Sequence, residues 1–387
     1  MLTKTKPSED LIRSPSFRDS LSQSQGPVEH AHSLPPACYC DDSVLDAEIE
    51  TIFRRAWLGV GRADRVDAPG AYAALEIAGA PVILLRDKQG VLRAFANSCR
   101  HRGARLLDGE GTCRAISCPF HCWTYRLDGR LTGAPHMEAT EGFDKSAYGL
   151  IEFPAEERAG FAFICLDRTC PDLDAYLGDF EPLHTPWPLH SLVSTRRRRF
   201  EVGCNWKAFL EVFNEYYHLK YVHPDSIDGV YAPPDPGEAT LGAYASQFGE
   251  TYGTGALLED QQDHALPTMP GLEGRWAKGA RYTWIFPNMT FAAGKESLWV
   301  YEAYPLGPHR CEVRQTLCFP PDTLRRPDFE ERSAHYTHRL DAALEEDVAA
   351  LENQHKGLAS PFAVPGRFSA LMEPNVAAFA RWYADRL

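Results

Sequence analysis

Four potential metal ligands lie in two short segments in the first third of the chain, CRHRG and CPFHC. Cys99 and His101 are separated by one residue and Cys118 and His121 by two, with sixteen residues between the pairs. Two thiolates and two imidazoles can bind zinc, or a 2Fe–2S cluster with the thiolates on one iron and the imidazoles on the other. Zinc ribbons usually begin with two cysteines two to four residues apart. The spacing therefore predicts a metal site with mixed ligands and suits two hairpin tips better than a zinc ribbon, while zinc and the cluster both stay open.

A second group of potential ligands lies in EVFNEYYHLKYVHP, where His218 and His223 follow Glu215. Two histidines and a distant carboxylate form the ligand set of mononuclear iron oxygenases, although two surface histidines would fit the same spacing. Five residues along an ideal helix rotate a side chain by about 140°. Because Pro224 disfavours the helical conformation at His223, we predict that the helix ends there and that the ring of His223 turns back towards His218.

The third ligand of such a site must be an acid elsewhere in the chain. The segment LDAALEEDVAALENQHKGL offers Asp341, Glu345, Glu346 and Asp347 on one predicted helix. A solvated acidic helix face would account for most of these charges. The choice among the four acids stays open on pattern alone.

Composition restricts the classes of partner. The chain has 387 residues, 44% of them hydrophobic, which suits two domains of ordinary size or one large domain with insertions. A net charge of −13 argues against nucleic acid, and we interpret the run Arg196 to Arg199 as a solvated strand face. No run of about 18 apolar residues could span a membrane, and the N-terminus lacks the apolar centre of a secretory signal. We expect a soluble, cytoplasmic protein without membrane contacts, whose eleven scattered cysteines are mostly reduced.

The order of predicted elements indicates an α+β protein. Residues 1–33 are polar and predict a flexible or draping arm, and residues 34–56 predict an N-terminal helix that packs on the catalytic domain. Short strands separated by Gly, Asp and Pro turns predict a small antiparallel β domain over residues 57–170 that carries the first ligand group on its loops. Residues 171–387 combine long strands with two C-terminal helices, which predicts a larger domain with an antiparallel sheet and long helices.

CRHRG followed by CPFHCWTY resembles the two ligand loops of the Rieske domains of ring-hydroxylating oxygenases. The resemblance extends from about residue 34 to Leu387 and implies a Rieske 2Fe–2S domain at 57–170 and a helix-grip, START-like catalytic domain at 171–387. It implies that the two cysteines bind one iron of the cluster and the two histidines the other. Cys122 departs from the family, which commonly has glycine there.

The second group is similar to the family's motif of an acid, two residues, His, four residues, His. The family usually has Asp where this chain has Glu215. The resemblance implies that this acid bridges an iron-ligand histidine and a Rieske histidine of a neighbouring subunit, so that electrons pass between the centres. EDVAALENQHKGL is similar to the family's EDxxxxExxQxGL segment, which implies that Asp347 joins His218 and His223 as the ligands of a mononuclear Fe(II). Glu346 is the alternative.

The implied function is that of a terminal oxygenase. Such a protein would use O2 and electrons from NAD(P)H, delivered by a separate flavin- or ferredoxin-type reductase, to hydroxylate or oxidatively dealkylate a small molecule. A homotrimer is implied as well. Alternatives are an aromatic-ring hydroxylating dioxygenase, an aryl-ether O-demethylase and, outside enzymes, a Rieske-type electron carrier or a zinc module.

The substrate pocket is predicted from the residues next to the second group. Glu211 lies seven residues before His218 and is expected on the same helix face, with Phe213 and Tyr216 nearby. A carboxylate with aromatic rings suits a trimethylammonium group. Glu in place of Asp at position 215 also occurs in family members that act on quaternary ammonium compounds such as carnitine. The same three side chains could instead belong to the core or to an outer shell around the metal.

Overall fold

The structure, a computed structural model, describes residues 10–387. It divides into two compact units, one formed by Arg55–Cys170 and one by the N-terminal residues up to Arg54 together with Pro171–Leu387. The sequence places the corresponding boundaries at 57 and 170. The larger unit thus takes its residues from both ends of the chain.

The smaller unit is built from three antiparallel sheets with strand orders β1-β11-β10, β5-β2-β3-β4-β9 and β6-β7-β8. Residues alternate between buried and half-buried along AYAALEI, as the pattern predicts for a strand with one face on the core. The strands are β1 Leu58–Arg62, β2 Ala71–Ile77, β3 Ala80–Arg86, β4 Leu92–Ala96, β5 Glu110–Thr112, β6 Ile116–Ser117, β7 Thr124–Tyr125, β8 Leu131–Gly133, β9 Glu152–Phe153, β10 Ala155–Arg158 and β11 Phe161–Ile164.

The larger unit contains one six-stranded antiparallel sheet with strand order β12-β17-β16-β15-β14-β13. Its central strands are buried along nearly their whole length. The basic run lies on a strand, as predicted, and its Arg196 and Arg198 both form ion pairs with Asp341. The strands are β12 Val193–Val202, β13 Tyr244–Glu250, β14 Gly279–Ile285, β15 Met289–Ala293, β16 Leu298–Gly307 and β17 Arg310–Phe319.

Helices of the larger unit pack on this sheet, with α7 against β16 and α11 against β13. The long helix α10 contacts both α7 and α8, and this contact brings the acidic segment next to the histidine segment. The helices are α1 Asp10–Arg13, α2 Pro15–Ser22, α3 Ala37–Cys40, α4 Asp42–Glu48, α5 Leu173–Leu177, α6 Phe180–His184, α7 Trp206–Phe213, α8 Leu219–Val222, α9 Pro321–Leu324, α10 Phe329–Leu358 and α11 Pro374–Ala384.

Residues 10–33 correspond to the draping form of the predicted arm and not to the flexible one. Ser14 caps α2 by accepting a hydrogen bond from the backbone N–H of Phe17, and Pro15 is favourable at the first helical position. Phe17 and Leu21 are buried. The segment therefore makes apolar contacts that its polar overall composition does not predict. The prediction for residues 1–9 lies outside the described part of the chain.

Two of the eleven cysteines are paired. Cys165 and Cys170 form a disulfide, whereas the nine other cysteines are free. Most cysteines are therefore reduced, as the scattered pattern predicts. None of the helices within residues 10–387 has the combination of length and hydropathy needed to cross a bilayer.

Two candidate metal sites

Two similar tight turns present the first group of ligands. The backbone N–H of Gly103 donates to the carbonyl of Cys99, and that of Cys122 donates to the carbonyl of Cys118, at 2.9 and 3.0 Å. The fifth residue of each turn has a positive φ, 74° at Gly103 and 56° at Cys122. Glycine adopts this left-handed conformation without strain. The left-handed backbone thus explains why the family usually has glycine at position 122. In this chain a cysteine adopts the same conformation with strain.

The four side chains suit a cluster with mixed ligands. Cys99 and Cys118 are buried, and the ring centroids of His101 and His121 are 4.7 Å apart. The Nδ1 atoms of both histidines are buried, and neither has a hydrogen-bond partner in the described chain. Leaving a buried polar atom unpaired costs about 1–3 kcal/mol. A metal bound to the two Nδ1 atoms would remove that cost, so these residues fit the cluster.

Two aromatic side chains surround this first group of ligands. Trp123 stacks on the ring of His101, with 4.9 Å between centroids. The Tyr125 hydroxyl lies 3.3 Å from Sγ of Cys99 and accepts a hydrogen bond from the backbone N–H of Arg100. Burial and the neighbouring Cys99 raise the pKa of Tyr125, so its proton remains available to the sulfur. The sequence prediction missed Tyr125, although the WTY segment carried the signal.

The second group forms where a helix is interrupted. Helix α7 ends at Phe213, and His218 and His223 flank the four-residue helix α8. His223 has φ −119° and ψ 40°, outside the helical region, so the helix ends at the residue before Pro224 as predicted. The rings of His218 and His223 are 5.1 Å apart between centroids. Each of His218, His223 and Asp347 offers one ligand atom, and these atoms all lie within 4.8 Å of one another.

The two histidines present the same nitrogen to Asp347. Oδ1 of Asp347 lies 3.0 Å from Nε2 of His223 and 3.5 Å from Nε2 of His218. Oε1 of Glu215 lies 2.5 Å from Nδ1 of His218, and Oε2 of Glu346 lies 2.6 Å from Nδ1 of His223. A carboxylate on Nδ1 holds the ring so that Nε2 can bind a metal. Burial opposes the charged form of His218, but Glu215 raises its pKa overall.

The four acids of the α10 segment have different surroundings. Asp341 pairs with the arginines of β12, and Glu345 is exposed. Glu346, the alternative ligand, contacts the outer nitrogen of His223 and accepts a hydrogen bond from the Ser226 hydroxyl. Only Asp347, among these four acids, contacts the Nε2 atoms.

A cavity of about 50 Å³ adjoins the second group. His218, His223, Asp347 and Glu215 line it. Its aromatic lining consists of Phe213, Tyr216, Tyr231, Tyr282 and Tyr301. Phe213 and Tyr216 therefore line the cavity, in the position predicted for pocket residues.

Glu211 was predicted to line the same pocket as Phe213 and Tyr216, but it does not line this cavity. It lies along a neighbouring cavity of about 330 Å³, where its Oε1 accepts a hydrogen bond from the Tyr39 hydroxyl at 2.7 Å. The cause is the interruption after Phe213, which removes the common helix face assumed for Glu211 and His218. Burial raises the pKa of Glu211 to about 7, against the opposing effects of Tyr39 and Lys207. Glu215 and His218 line both cavities.

The sequence prediction also missed Arg339, a buried cation in the lining of the smaller cavity. Its Nη2 donates to the Tyr231 hydroxyl at 3.0 Å, and its guanidinium lies over the ring of Trp299 at 5.4 Å. Burial opposes its charge, but Tyr231 and other neighbours raise its pKa overall. The cavity thus combines aromatic rings with a fixed positive charge.

Two loops with paired cysteine and histidine ligands in one unit, and two histidines with a carboxylate in the other, define the class of Rieske non-heme iron oxygenases. Residues 56–147 match the Rieske 2Fe–2S domain, and residues 189–387, just over half of the chain, match the ring hydroxylating alpha subunit (catalytic domain). The chain belongs to this family of ring-hydroxylating alpha subunits. It is the oxygenase component of a system that receives electrons from a reductase and acts on a small molecule.

Similar proteins cover most of the chain. The glycine betaine monooxygenase oxygenase subunit of Chromohalobacter salexigens is 28% identical over 95% of this chain and 88% of that protein. The carnitine monooxygenase oxygenase subunit of Acinetobacter pittii is 34% identical over 52% of this chain and 55% of that protein. A solved structure of a quaternary ammonium Rieske monooxygenase, described in connection with carnitine oxidation and inter-subunit electron transfer, has a TM-score of 0.77. It is 24% identical and covers 95% of this chain and 98% of that one.

These matches confirm the predicted α+β fold, the oxygenase class and the two cofactors, a Rieske 2Fe–2S cluster and a non-heme iron. They favour the oxygenase over the electron carrier and the zinc module, because neither of those accounts for a catalytic domain. The assignment of individual ligands stays a prediction.

Proposed function

We propose that this oxygenase oxidises an N-methyl or adjacent carbon of a small quaternary ammonium carboxylate. The observation that carries the proposal is the cavity that His218, His223 and Asp347 share with five aromatic rings and Arg339. Aromatic faces attract quaternary ammonium groups, and a guanidinium pairs with a carboxylate through charge-assisted hydrogen bonds. Relatives named for glycine betaine and carnitine support the same class of substrate.

The size of the cavity supports a compact substrate. One water needs roughly 10–15 Å³ of cavity volume. The volume of about 50 Å³ therefore corresponds to a few waters. A zwitterion with its charges a few bonds apart fits this space better than a polycyclic ring does. The tyrosine rings would hold the ammonium end, and Arg339 would hold the carboxylate end.

The proposed ligand sets are Cys99, His101, Cys118 and His121 for the cluster, and His218, His223 and Asp347 for the iron. When bound, the iron would supply O2 activation, and the cluster would supply electrons from the reductase. Glu215 and Glu346 fix the two imidazole rings through their Nδ1 atoms. The buried rings and Arg339 orient the substrate and limit the access of water.

Glu215 is also proposed to connect the iron centre with a Rieske histidine of a neighbouring copy in a homotrimer. Its contact with Nδ1 of His218 and the relative described with inter-subunit electron transfer support this role. Glu215→Gln should keep cluster and trimer but bind iron more weakly, as Glu346→Gln should, because both carboxylates hold an imidazole through Nδ1. Reconstituted with Fe(II) to the wild-type iron content, Glu215→Gln should still lose turnover, whereas the exposed control Glu250→Gln should remain active. Iron and sulfide analysis, mass photometry and single-turnover reoxidation of the cluster test this. Normal reoxidation in Glu215→Gln would contradict the bridging role.

The proposed substrate class is tested by NADH and O2 consumption with a surrogate reductase. Glycine betaine, carnitine, choline and benzoate-type acids are compared, with formaldehyde, trimethylamine and ring hydroxylation as product readouts. Catalase and peroxide assays separate true turnover from uncoupled O2 reduction. Coupled product formation from a quaternary ammonium carboxylate supports the proposal, and coupled turnover of benzoates alone contradicts it.

Aromatic acids are the second candidate class, for ring hydroxylation or aryl-ether O-demethylation. Arg339 favours them because it would bind their carboxylate as well, with the tyrosines stacking on the ring. The same substrate panel distinguishes the two classes by the product formed.

A further inference from the structure

A third group of metal-binding side chains lies in the larger unit and shares no residue with the two sites above. It consists of Cys40 at the end of α3, His309 in the turn between β16 and β17, and His355 in the last turn of α10. One ligand atom from each lies within 4.8 Å of the other two. Nδ1 of His309 is 2.8 Å from Nε2 of His355.

A buried amide holds two of the three segments in place. Nδ2 of Asn205 donates to the backbone carbonyl of Tyr39 at 3.1 Å and to that of Pro308 at 3.0 Å. Tyr39 and Pro308 immediately precede Cys40 and His309. A single side chain therefore fixes the backbone beside both ligands, so that binding a metal would require little rearrangement.

The donor chemistry is that of a zinc site. Thiolate and imidazole are both donors that zinc binds, and open tetrahedral zinc sites hold three protein ligands with water in the fourth position. His309 is exposed, Cys40 is half-buried and His355 is buried, so the group is open on one side to an entering ion.

The distance between the two imidazole nitrogens requires only a small change. Tetrahedral zinc ligands at about 2.0–2.3 Å from the metal lie about 3.3–3.7 Å from one another. The two ring nitrogens, at 2.8 Å, would move apart by about half an ångström as their shared hydrogen bond is replaced. The exposed His309 ring is free on its solvent side to make that movement.

We propose that Cys40, His309 and His355 form a Zn²⁺ site that fastens α3, the β16–β17 turn and the end of α10 to one another. Binding would release the Cys40 thiol proton to solvent, and water would complete the coordination. The site would stabilise the cavity wall, since the Tyr39 hydroxyl next to Cys40 donates to Glu211. This inference is independent of the proposed substrate.

The test uses the holoenzyme with full iron content, incubated with two equivalents of Zn²⁺ and then desalted. Iron and zinc per chain are measured by mass spectrometry for wild type, Cys40→Ser and His309→Ala. The exposed His190→Ala is the matched histidine control. Asp347→Ala, which lacks a proposed iron ligand and is therefore used without the requirement of full iron content, tests whether the retained zinc occupies the iron site instead.

Wild type, His190→Ala and Asp347→Ala are expected to retain one zinc per chain, and Cys40→Ser and His309→Ala to lose it with unchanged cluster content. Zn²⁺ should also raise the Tm of wild type but not of His309→Ala. No retained zinc in wild type, zinc retained in His309→Ala, or zinc lost from Asp347→Ala would each overturn the proposal.

Discussion

Oε2 of Glu346 lies 2.6 Å from Nδ1 of His223, while Oδ1 of the adjacent Asp347 lies 3.0 Å from Nε2 of the same ring. Two consecutive residues of α10 thus contact the two nitrogens of one imidazole. The outer carboxylate fixes the tautomer that leaves Nε2 able to bind iron. Consecutive acids in a sequence such as EED can therefore have distinct positions at one candidate metal site.

Replacing Glu346 tests that arrangement. Glu346→Gln is expected to weaken mononuclear iron binding by roughly 10–100-fold, because a neutral amide orients and polarises the imidazole less well than a carboxylate. The cluster should be unaffected. Iron per chain after dialysis against a graded chelator measures the effect, with the exposed neighbour Glu345→Gln as control. Equal iron retention in both variants would show that Glu346 has no such role.

The sequence predicted the ligand loops, the strands and the end of α8 because each depends on local signals: spacing, alternation and Pro224. It misplaced Glu211 because helix α7 ends early. Nδ2 of Asn214 donates to the carbonyl of Leu210, and its Oδ1 accepts from Thr290 on the sheet. Such side-chain bonds compete with continuation of a helix. Arg339 was missed for a related reason, since its partners Tyr231 and Trp299 are distant in sequence.

Cys122 allows a test of backbone strain beside the cluster. A non-glycine residue at φ 56° costs about 1 kcal/mol or more, partly offset by the greater freedom of glycine in the unfolded chain. Cys122→Gly is expected to stabilise the smaller unit by roughly 0.5–1 kcal/mol. The loss of cluster absorbance on heating measures this. Cys122→Ala, which removes the thiol but keeps the strain, should give no gain, and an equal gain would attribute the effect to the thiol.

The raised pKa of Glu211 predicts that the stability of the fold depends on pH. Its pKa of about 7 in the folded chain exceeds the ordinary value of 4.5, so folding favours the protonated form. The associated stability is complete below pH 4.5 and is lost as the pH rises to about 7. Since one pKa unit corresponds to about 1.4 kcal/mol, the loss is on the order of 1–3 kcal/mol.

Glu211→Gln imitates the protonated form and can still accept the hydrogen bond from Tyr39. The variant should therefore match wild type in Tm at about pH 5 and exceed it at about pH 8. Burial raises the pKa of Glu296 to about 7 as well, so each variant is compared with wild type at the same pH. Glu345→Gln serves as the exposed control. A Tm difference that is the same at both pH values would exclude titration of Glu211 as the cause.

Replacing Arg339 tests whether the cavity binds the carboxylate of the substrate separately from its ammonium group. Hydrogen bonds to a charged group contribute about 1.5–3 kcal/mol, so Arg339→Gln should lower kcat/KM for glycine betaine by roughly 10–100-fold, mainly through KM. Choline, which has the ammonium group without the carboxylate, should lose much less. Arg332→Gln, two turns earlier on α10 and paired with Asp328, is the control. An equal loss for both substrates, with normal iron content and Tm, would mean that Arg339 supports the cavity through Tyr231 and Trp299 and does not bind the carboxylate.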